Sequence, residues 1–432
     1  MEKLKRIHTS EVMSHTGETV KIAGFVQAIR NQGSIKFLIL RDIKGIIQVV
    51  VLKNSSAFDQ VEALTLESVV EIEGLAKVEK QAPSGYEVEA SSMVVLSTAM
   101  PSLPIPVVVE KSGEESEISK RLDSRYIDLR KVENGKIFKV WTELEKGFRN
   151  YLLSAGYLQV YTPSFMSSAS ESGSEVFEVK YFDRKAYLAQ SPQFYKQMAM
   201  SAGFEKVFMV GPVFRAEPSF TTRHLTEFTG WDFELSYIQS HHDVMDELEQ
   251  ALVSGFESIK ASGIVECDVP TRPFPRITML EAKKLLAEKG ILSEKEHDVS
   301  PEEERELAKI VKEKYAHDFV FLIDWHISAR PFYHMRHADN KELTKSFDLL
   351  YRGLEITTGA QREHRHEVLE AQAVEKGMVL EELDYYLNFF RYGCPPHGGV
   401  GIGPGRIVMQ LTGLSSIKEA TFLPRDVKRL NP

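Results

Sequence analysis

The 432-residue sequence holds only two cysteines, Cys267 and Cys394. Two thiols cannot build a disulfide framework or a cysteine-rich zinc cluster, so a reducing, cytoplasmic setting is the simplest expectation. No apolar run reaches the ~18 residues of a membrane-spanning helix, so no membrane segment is expected. The start, Met1-Glu2-Lys3-Leu4-Lys5-Arg6, lacks the apolar core of a signal peptide. No glycine-rich stretch ends in Gly-Lys-Ser/Thr, which excludes a P-loop. An excess of positive charge is missing too. The 62 Asp/Glu outweigh 53 Lys/Arg for a net of -9, which argues against a protein that coats nucleic acid indiscriminately.

What is present describes a globular chain with a full core: 43% hydrophobic and 27% charged residues, long enough for two or three domains. The charge is unevenly spread. Residues 1–56 carry nine Lys/Arg against four Asp/Glu, a net of +5, and residues 57–100 carry two against eight, a net of −6. A basic half-module inside an acidic protein suits local contact with a polyanion.

Alternation predicts strands at Val20–Val26, Ile35–Asp42, Gly45–Val51, Val69–Gly74 and Tyr86–Glu89, with a helix around Ser56–Leu66. Five strands with a helix after the third fit a small closed barrel of the OB type, which binds single strands through exposed aromatics. Phe37 and Gln48 on neighbouring strands could stack on and hydrogen-bond an unpaired base, and Arg30 could meet a phosphate or a base edge. The alternation equally allows Phe37 to lie in the barrel core. Pro101, Pro104 and Pro106, followed by Lys-Ser-Gly-Glu-Glu-Ser-Glu, mark a linker. Phe138, Trp141, Leu144, Phe148, Tyr151 and Leu152 recur at helical spacing, and Gly156 stops that helix. Residues 167–174 form a small-residue loop with one carboxylate, Glu171, either a mobile lid or a solvated loop. A strand at Ala186–Gln190 leads to a helix opened by Ser191-Pro192-Gln193, on which Gln193 and Lys196 share a face.

The apolar run Val207–Val213 ends in Phe214-Arg215-Ala216-Glu217. On a strand, Arg215 and Glu217 project from one face. Two readings stand open: a surface hairpin with an ion pair, or a nucleoside triphosphate site with Arg on phosphate, Glu on an exocyclic amine and Phe228 under a purine. Further on, Asp348 and Glu355 lie seven residues apart; they are either a Mg²⁺ pair or two strand-end acids in separate ion pairs. His364 and His366 lack partner cysteines and fit an exposed helix better than zinc. Residues 240–345 alternate helical runs with a highly charged stretch, Ser293–Lys314, and read as an insertion. The glycine-rich stretch Pro395–Arg406 permits close backbone approach to a ligand, and a helix runs on through Leu411.

Together these segments resemble a class II aminoacyl-tRNA synthetase. The three signatures of the class stand in order: the long helix with the extended segment ending at Pro163, then Phe214-Arg215-Ala216-Glu217 with His224 and Phe228, then Gly401-Ile402-Gly403-Pro404-Gly405-Arg406. A barrel ahead of the catalytic domain is the arrangement of the aspartate, asparagine and lysine subclass. Gln190-Ser191-Pro192-Gln193-Phe194-Tyr195-Lys196 and the short end at Phe422–Asp426 are similar to the archaeal type of aspartyl-tRNA synthetase.

The resemblance implies a multi-domain α+β fold: a five-stranded OB barrel over 1–103, a hinge over 104–130, and an antiparallel-sheet catalytic domain flanked by helices over 131–432. It implies L-aspartate, ATP and tRNA(Asp) as substrates, Mg²⁺ as cofactor, and a homodimer built on the first signature. Arg215 would hold the α-phosphate, Glu217 the adenine amine, Phe228 and Arg406 the ring, and His224 the γ-phosphate; Arg223, Leu225 and Gly403 complete the ATP set. Glu355, Thr358 and Asp348 would hold Mg²⁺. Lys196 and Arg362 would pair with the aspartate side chain, with Glu171, Gln193 and Asp232 around its ammonium and backbone, Thr358 beside them, and Tyr333 in the pocket wall. Arg30, Phe37 and Gln48 match anticodon-reading positions, which moves Phe37 to the barrel surface. Gln27 and Pro83 stand where enzymes strict for tRNA(Asp) tend to have Trp and Lys, so charging of tRNA(Asn) is expected as well. Gly405 replaces the usual acid before the last arginine, so Arg406 is expected to be less anchored. Two other readings remain: an asparagine–tRNA ligase, and a synthetase-like protein that charges no tRNA, such as an asparagine synthetase or a regulatory paralogue.

Overall fold

In the computed structural model, residues 4–108, 113–167, 176–293 and 295–431 are described. They form two compact units, Met1–Gly135 and Lys136–Pro432.

In the first unit, strands β1 (Thr19–Asn31), β2 (Ile35–Asp42), β3 (Gly45–Leu52), β4 (Val69–Val78) and β5 (Tyr86–Ser97) close a barrel in the order β1-β2-β3-β5-β4. The β3–β5 pairing is parallel and the other pairings are antiparallel. Period-two alternation buries Val20, Ile22, Leu38, Leu40 and Val49 in one core and turns their neighbours outward. A 3₁₀ turn at Thr9–His15, not anticipated from the sequence, adds Val12 to that core. The helix expected over Ser56–Leu66 shrinks to a 3₁₀ turn at Asp59–Ala63. The Ser55 and Ser56 hydroxyls donate to the Ala90 and Ser91 carbonyls instead, side-chain bonding that competes with a helix. Two short helices follow, α1 (Ile118–Asp123) and α2 (Arg125–Asp128).

The second unit takes most of the long helix α3 (Val132–Ser154) and is built on one eight-stranded sheet. Its strands are β6 (Leu158–Gln159), β10 (Lys206–Phe214), β11 (Glu227–Ser236), β12 (Arg276–Thr278), β13 (Phe319–Ile323), β14 (Ser346–Tyr351), β15 (Leu354–Arg362) and β16 (His397–Ile402). They run in the order β12-β13-β14-β15-β16-β11-β10-β6. The central pairings are antiparallel, but β6–β10 and β12–β13 are parallel, so the sheet expected to be antiparallel is mixed at its edges. A small sheet of β7 (Phe165–Met166), β8 (Glu178–Tyr181) and β9 (Arg184–Leu188) stands apart. Helices α4 (Gln193–Ser201), α5 (His241–Ser262), α6 (Met279–Glu288), α7 (Pro301–Tyr315), α8 (His366–Glu375), α9 (Leu380–Arg391) and α10 (Pro404–Leu411) flank the sheets.

Helices α3 and α5 bury their apolar stripes against the sheet. Trp231 of β11 stacks on Phe148 of α3 with centroids 4.6 Å apart. Residues 240–345, expected as a helical insertion, also give the sheet two strands. The run Phe319-Val320-Phe321-Leu322-Ile323 is buried on both faces, which is why it carries no alternation to betray it. Strand β10 ends at Phe214, so Arg215 and Glu217 lie in the β10–β11 connector and not on a strand as expected. Their last ladder rung is Arg215 N to Thr226 O, and Pro218 has no N–H to continue it.

Candidate active site

A cavity of about 880 Å³ opens over the middle of the large sheet, where β11, β15 and β16 meet α4 and the β10–β11 connector. Its floor is charged. Alternation along β11 aims Asp232 and Glu234 to one side of an otherwise apolar strand, Trp231 to Leu235. Lys196 projects from α4 and is 1% exposed. Its Nζ donates to Asp232 Oδ2 at 3.2 Å and to the Val400 carbonyl at 2.7 Å, and lies 3.4 Å from Glu234 Oε2. Arg362, at the end of β15, donates to Glu234 Oε1 at 3.1 Å, to His334 Nε2 at 2.8 Å and to the Gly399 carbonyl at 3.0 Å. Two cations thus share two carboxylates in a dry setting, where each charge needs its partner. Burial raises the Asp232 carboxyl, with Lys196 opposing. Burial and then the nearby Arg362 and Arg330 push the His334 imidazole well below its usual range, so a neutral ring accepts from Arg362. The glycines of β16 make this cluster possible. A Cβ at Gly399 would sit 2.1 Å from Glu234 Oε2 and 2.2 Å from the Phe233 carbonyl. Gln193 lines the same end, with its amide donating to Gln197 at 2.9 Å, and Tyr333 lies under the Arg362 guanidinium at 5.6 Å.

The other end of the cavity gathers Arg215, Glu217, Arg223, His224, Leu225, Phe228, Gly403 and Arg406. Arg215 Nη1 lies 3.7 Å from Glu217 Oε1 and its Cζ 5.7 Å from the Phe228 ring centroid. The Arg215 Nε is buried with no partner among the described residues. Burial and then Arg406 lower the His224 imidazole. Arg406 donates to the Glu355 carbonyl at 2.7 Å and lies 3.8 Å from its carboxylate. With Gly405 offering no acid, Arg406 is held by the main-chain carbonyl of Glu355, whose carboxylate stands beyond hydrogen-bond distance.

Asp348 of β14 and Thr358 of β15 are direct cross-strand partners, and Glu355 follows the hairpin turn. Thr358 Oγ1 donates to Glu355 at 3.2 Å. Asp348 is buried against Arg330 at 2.8 Å, and its Oδ1 has no hydrogen-bond partner within normal geometry among the described residues. Burial lifts its carboxyl to about 6, against the pull of Arg330. No group of three His, Cys, Asp or Glu among the described residues is placed to hold a metal on its own. Glu171 lies outside the described residues.

On the barrel, Arg30 of β1 pairs directly with Phe37 of β2, and Ile39 two residues on pairs with Gln48 of β3. Arg30, Phe37 and Gln48 thus share one outer face; Phe37 is half-buried and stands outside the core cluster. Gln48 donates to Glu87 at 2.9 Å. Gln27 occupies a β-bulge in β1, where the pairing shifts between Val26 and Ala28. Its carbonyl accepts from Arg41 at 3.2 Å, itself in a buried two-pronged pair with Glu67 at 3.0 and 2.7 Å. Pro83 lies exposed in the β4–β5 turn.

Sequence reasoning missed Glu234, His334 and Arg330. An acid pair at i and i+2 inside an apolar strand was a usable signal for Glu234. His334 and Arg330 come from an irregular segment with no periodicity to read.

Two family models match this chain. That of the class II tRNA synthetases for D, K and N covers residues 117–427, and an OB-fold nucleic acid binding domain covers 20–96. The chain belongs to the class II tRNA synthetases of the D, K and N group. Over 99% of its length it is 42% identical to the whole of an aspartate–tRNA(Asp/Asn) ligase from Methanopyrus kandleri. It is 38% identical to an aspartate–tRNA(Asp) ligase from Pyrococcus abyssi, over 99% of this chain and all of that one. The asparaginyl-tRNA synthetase of Pyrococcus horikoshii, solved with asparaginyl-adenylate, superposes with a TM-score of 0.91 at 31% identity over all of both chains. The expected family, its archaeal-type aspartyl branch and the barrel-plus-sheet architecture are borne out.

Proposed function

We propose that the chain is an aspartate–tRNA ligase that joins L-aspartate to ATP and passes it to the 3′ end of tRNA(Asp). The observation that carries the amino-acid choice is the buried Lys196, set with Arg362 at the floor of the cavity. A substrate carboxylate completes that cluster. An amide forgoes the charge-assisted hydrogen bonds a carboxylate makes there, a loss of about 1.5–3 kcal/mol. Asp232 and Gln193 take the substrate ammonium and backbone. The asparagine reading, raised by the likeness to the Pyrococcus horikoshii enzyme, brings no negative charge to the Lys196–Arg362 end of the cavity.

Arg215 at the connector holds the α-phosphate, so the aspartate carboxylate attacks it in line while pyrophosphate leaves. Glu217 accepts from the adenine amine, Phe228 and Arg406 enclose the ring, and His224 and Arg223 take the outer phosphates, with Leu225 and Gly403 completing the wall. No covalent nucleophile is needed; position and fixed charge carry the rate. The terminal tRNA ribose hydroxyl then attacks the adenylate carbonyl, and the mixed-anhydride bond breaks to release AMP and the hydroxyl proton as the ester forms.

The family generally uses ATP with Mg²⁺, and the donors fit that ion. Asp348 Oδ1 is buried with no hydrogen-bond partner within normal geometry among the described residues, and Glu355 and Thr358 would add oxygen ligands, with phosphates and water supplying the rest. When bound, the ion neutralises phosphate charge.

Arg30, Phe37 and Gln48 read the anticodon from the outer barrel face. Gln27 and Pro83 leave the choice between tRNA(Asp) and tRNA(Asn) open, so both are charged. The chain acts as a homodimer: Leu153, Leu158 and Tyr161, in and after α3, are large apolar side chains left exposed. It works in the cytoplasm, where Cys267 and Cys394 stay free thiols. None of the described helices is long and apolar enough to cross a membrane.

ATP–pyrophosphate exchange tests the site. Arg215→Ala is expected to abolish aspartate-dependent exchange with the dimer intact; exchange near wild type removes Arg215 from the site.

A further inference from the structure

Helix α7 is the highly charged segment whose purpose the sequence leaves unexplained, and its first turn faces the ATP end of the cavity. Three consecutive acids open it, and each does something different. Glu302 is exposed. Glu303 closes a capping box with Ser300 and pairs with Lys283 at 2.9 Å. Glu304 does neither. Its side chain is 7% exposed and accepts from Arg223 Nη1 at 2.8 Å.

That turn of α7 is fixed against the hairpin bearing the two acids of the metal pair. A Cβ at Gly353, in the β14–β15 turn, would lie 2.8 Å from the Arg305 Cα. Asp348 and Glu355 therefore have a rigid geometric relation to Glu304. Arg223 uses only Nη1 among the described residues, and it lines the cavity with His224, Glu355 and Arg406. An arginine so held presents the rest of its fork in one direction. A bare carboxylate at this depth would repel a triphosphate, and an unheld arginine would lose rotamer freedom on binding it. The pair removes both penalties.

We propose that Glu304 is a positioning residue for ATP, which holds the Arg223 guanidinium against α7 so that its free N–H groups meet the outer phosphates. The inference rests on the reading of Arg223 as an ATP contact and adds the element that aims it. A merely structural pair would tie α7 to the connector and leave substrate affinity alone.

The test is pyrophosphate exchange with the full-length enzyme, reading the KM for ATP and for aspartate separately, alongside thermal melting. Glu304→Gln is expected to raise the KM for ATP about tenfold, the size of one lost charge-assisted contact, and to leave that for aspartate within about twofold. Glu304→Asp keeps the charge but withdraws it by a methylene, and falls between Gln and wild type; it also serves if the Gln variant does not fold. Arg223→Ala raises the KM for ATP further, and adding Glu304→Gln to it produces no additional rise, because the two act as one unit. An unchanged or lowered KM for ATP in Glu304→Gln, with only the melting temperature reduced, overturns the proposal. So does full additivity in the double variant. If Arg223→Ala itself leaves the KM for ATP unchanged, the reading of Arg223 fails and the proposal falls with it, a different pattern from failure of Glu304 alone.

Discussion

Lys196 is surrounded by acceptors on three sides: Asp232, Glu234 and the Val400 carbonyl. Removing its ammonium strands two buried carboxylates with Arg362 as the cation left beside them, a loss of about 3–5 kcal/mol in such settings. Lys196→Ala is therefore expected to raise the KM for aspartate at least about tenfold and that for ATP far less, since the phosphate end keeps its own arginines. Parallel rises in both constants contradict the role. Side by side on α7, Glu303 and Glu304 titrate in opposite senses. Burial pushes Glu303 up, but Ser293, Ser300 and Lys283 hold it down at about 2, so its contribution to stability is present above the ordinary 4.5 and lost as pH falls toward 2. Burial lifts Glu304 to about 7 against the pull of Arg223, with Glu355 adding to the rise and Arg406 opposing it. The folded chain holds that proton more tightly than the unfolded one, so this stability is full below 4.5 and lost as pH climbs through 7, on the order of 3 kcal/mol. The melting temperature of Glu304→Gln relative to wild type should therefore rise between pH 5 and 8; a constant difference across that range contradicts the assignment.

At the scale of elements, β16 shows why glycine is needed where it stands. Gly399→Ala drives a methyl group into the Glu234 carboxylate and the Phe233 carbonyl. It is expected to lower stability by roughly 1–3 kcal/mol by overpacking, and to weaken aspartate binding because Glu234 anchors Arg362. Denaturation and aspartate titration check both effects; a variant with wild-type stability contradicts the close approach. The same strand marks how far the sequence could be read. Its glycines signalled close backbone approach; at Gly399 what approaches is the protein's own Glu234, while Gly401 lines the cavity. The barrel strands were legible because one face is buried and the alternation is clean. β13 was not, since a strand covered on both faces has no period. Arg215 and Glu217 reach the same cavity by a route other than the one their spacing suggested: a connector brings them together after β10 has ended. The site residues with a motif around them were legible, whereas His334 and Arg330 depend on a chain path that no local pattern encodes.

At the scale of the whole molecule, one chain joins a class II synthetase unit to an OB-fold nucleic acid binding barrel, and under the proposed reading the first chooses the amino acid and the second the RNA. The two choices are expected to separate by mutation. Charging assays with both purified tRNAs are expected to show aspartylation of each, and Gln27→Trp combined with Pro83→Lys to depress charging of tRNA(Asn) about tenfold, with aspartate activation unchanged. Strict rejection of tRNA(Asn) by the wild type contradicts the relaxed reading without touching the catalytic one. The reading of the catalytic unit as aspartate-activating rests on the buried Lys196 and Arg362, and one comparison reaches it directly: ATP–pyrophosphate exchange driven by L-aspartate against exchange driven by L-asparagine. Because an amide forgoes the charge-assisted bonds to Lys196 and Arg362, exchange with aspartate is predicted to be about a hundredfold faster in kcat/KM. Equal rates, or exchange with asparagine alone, would contradict it.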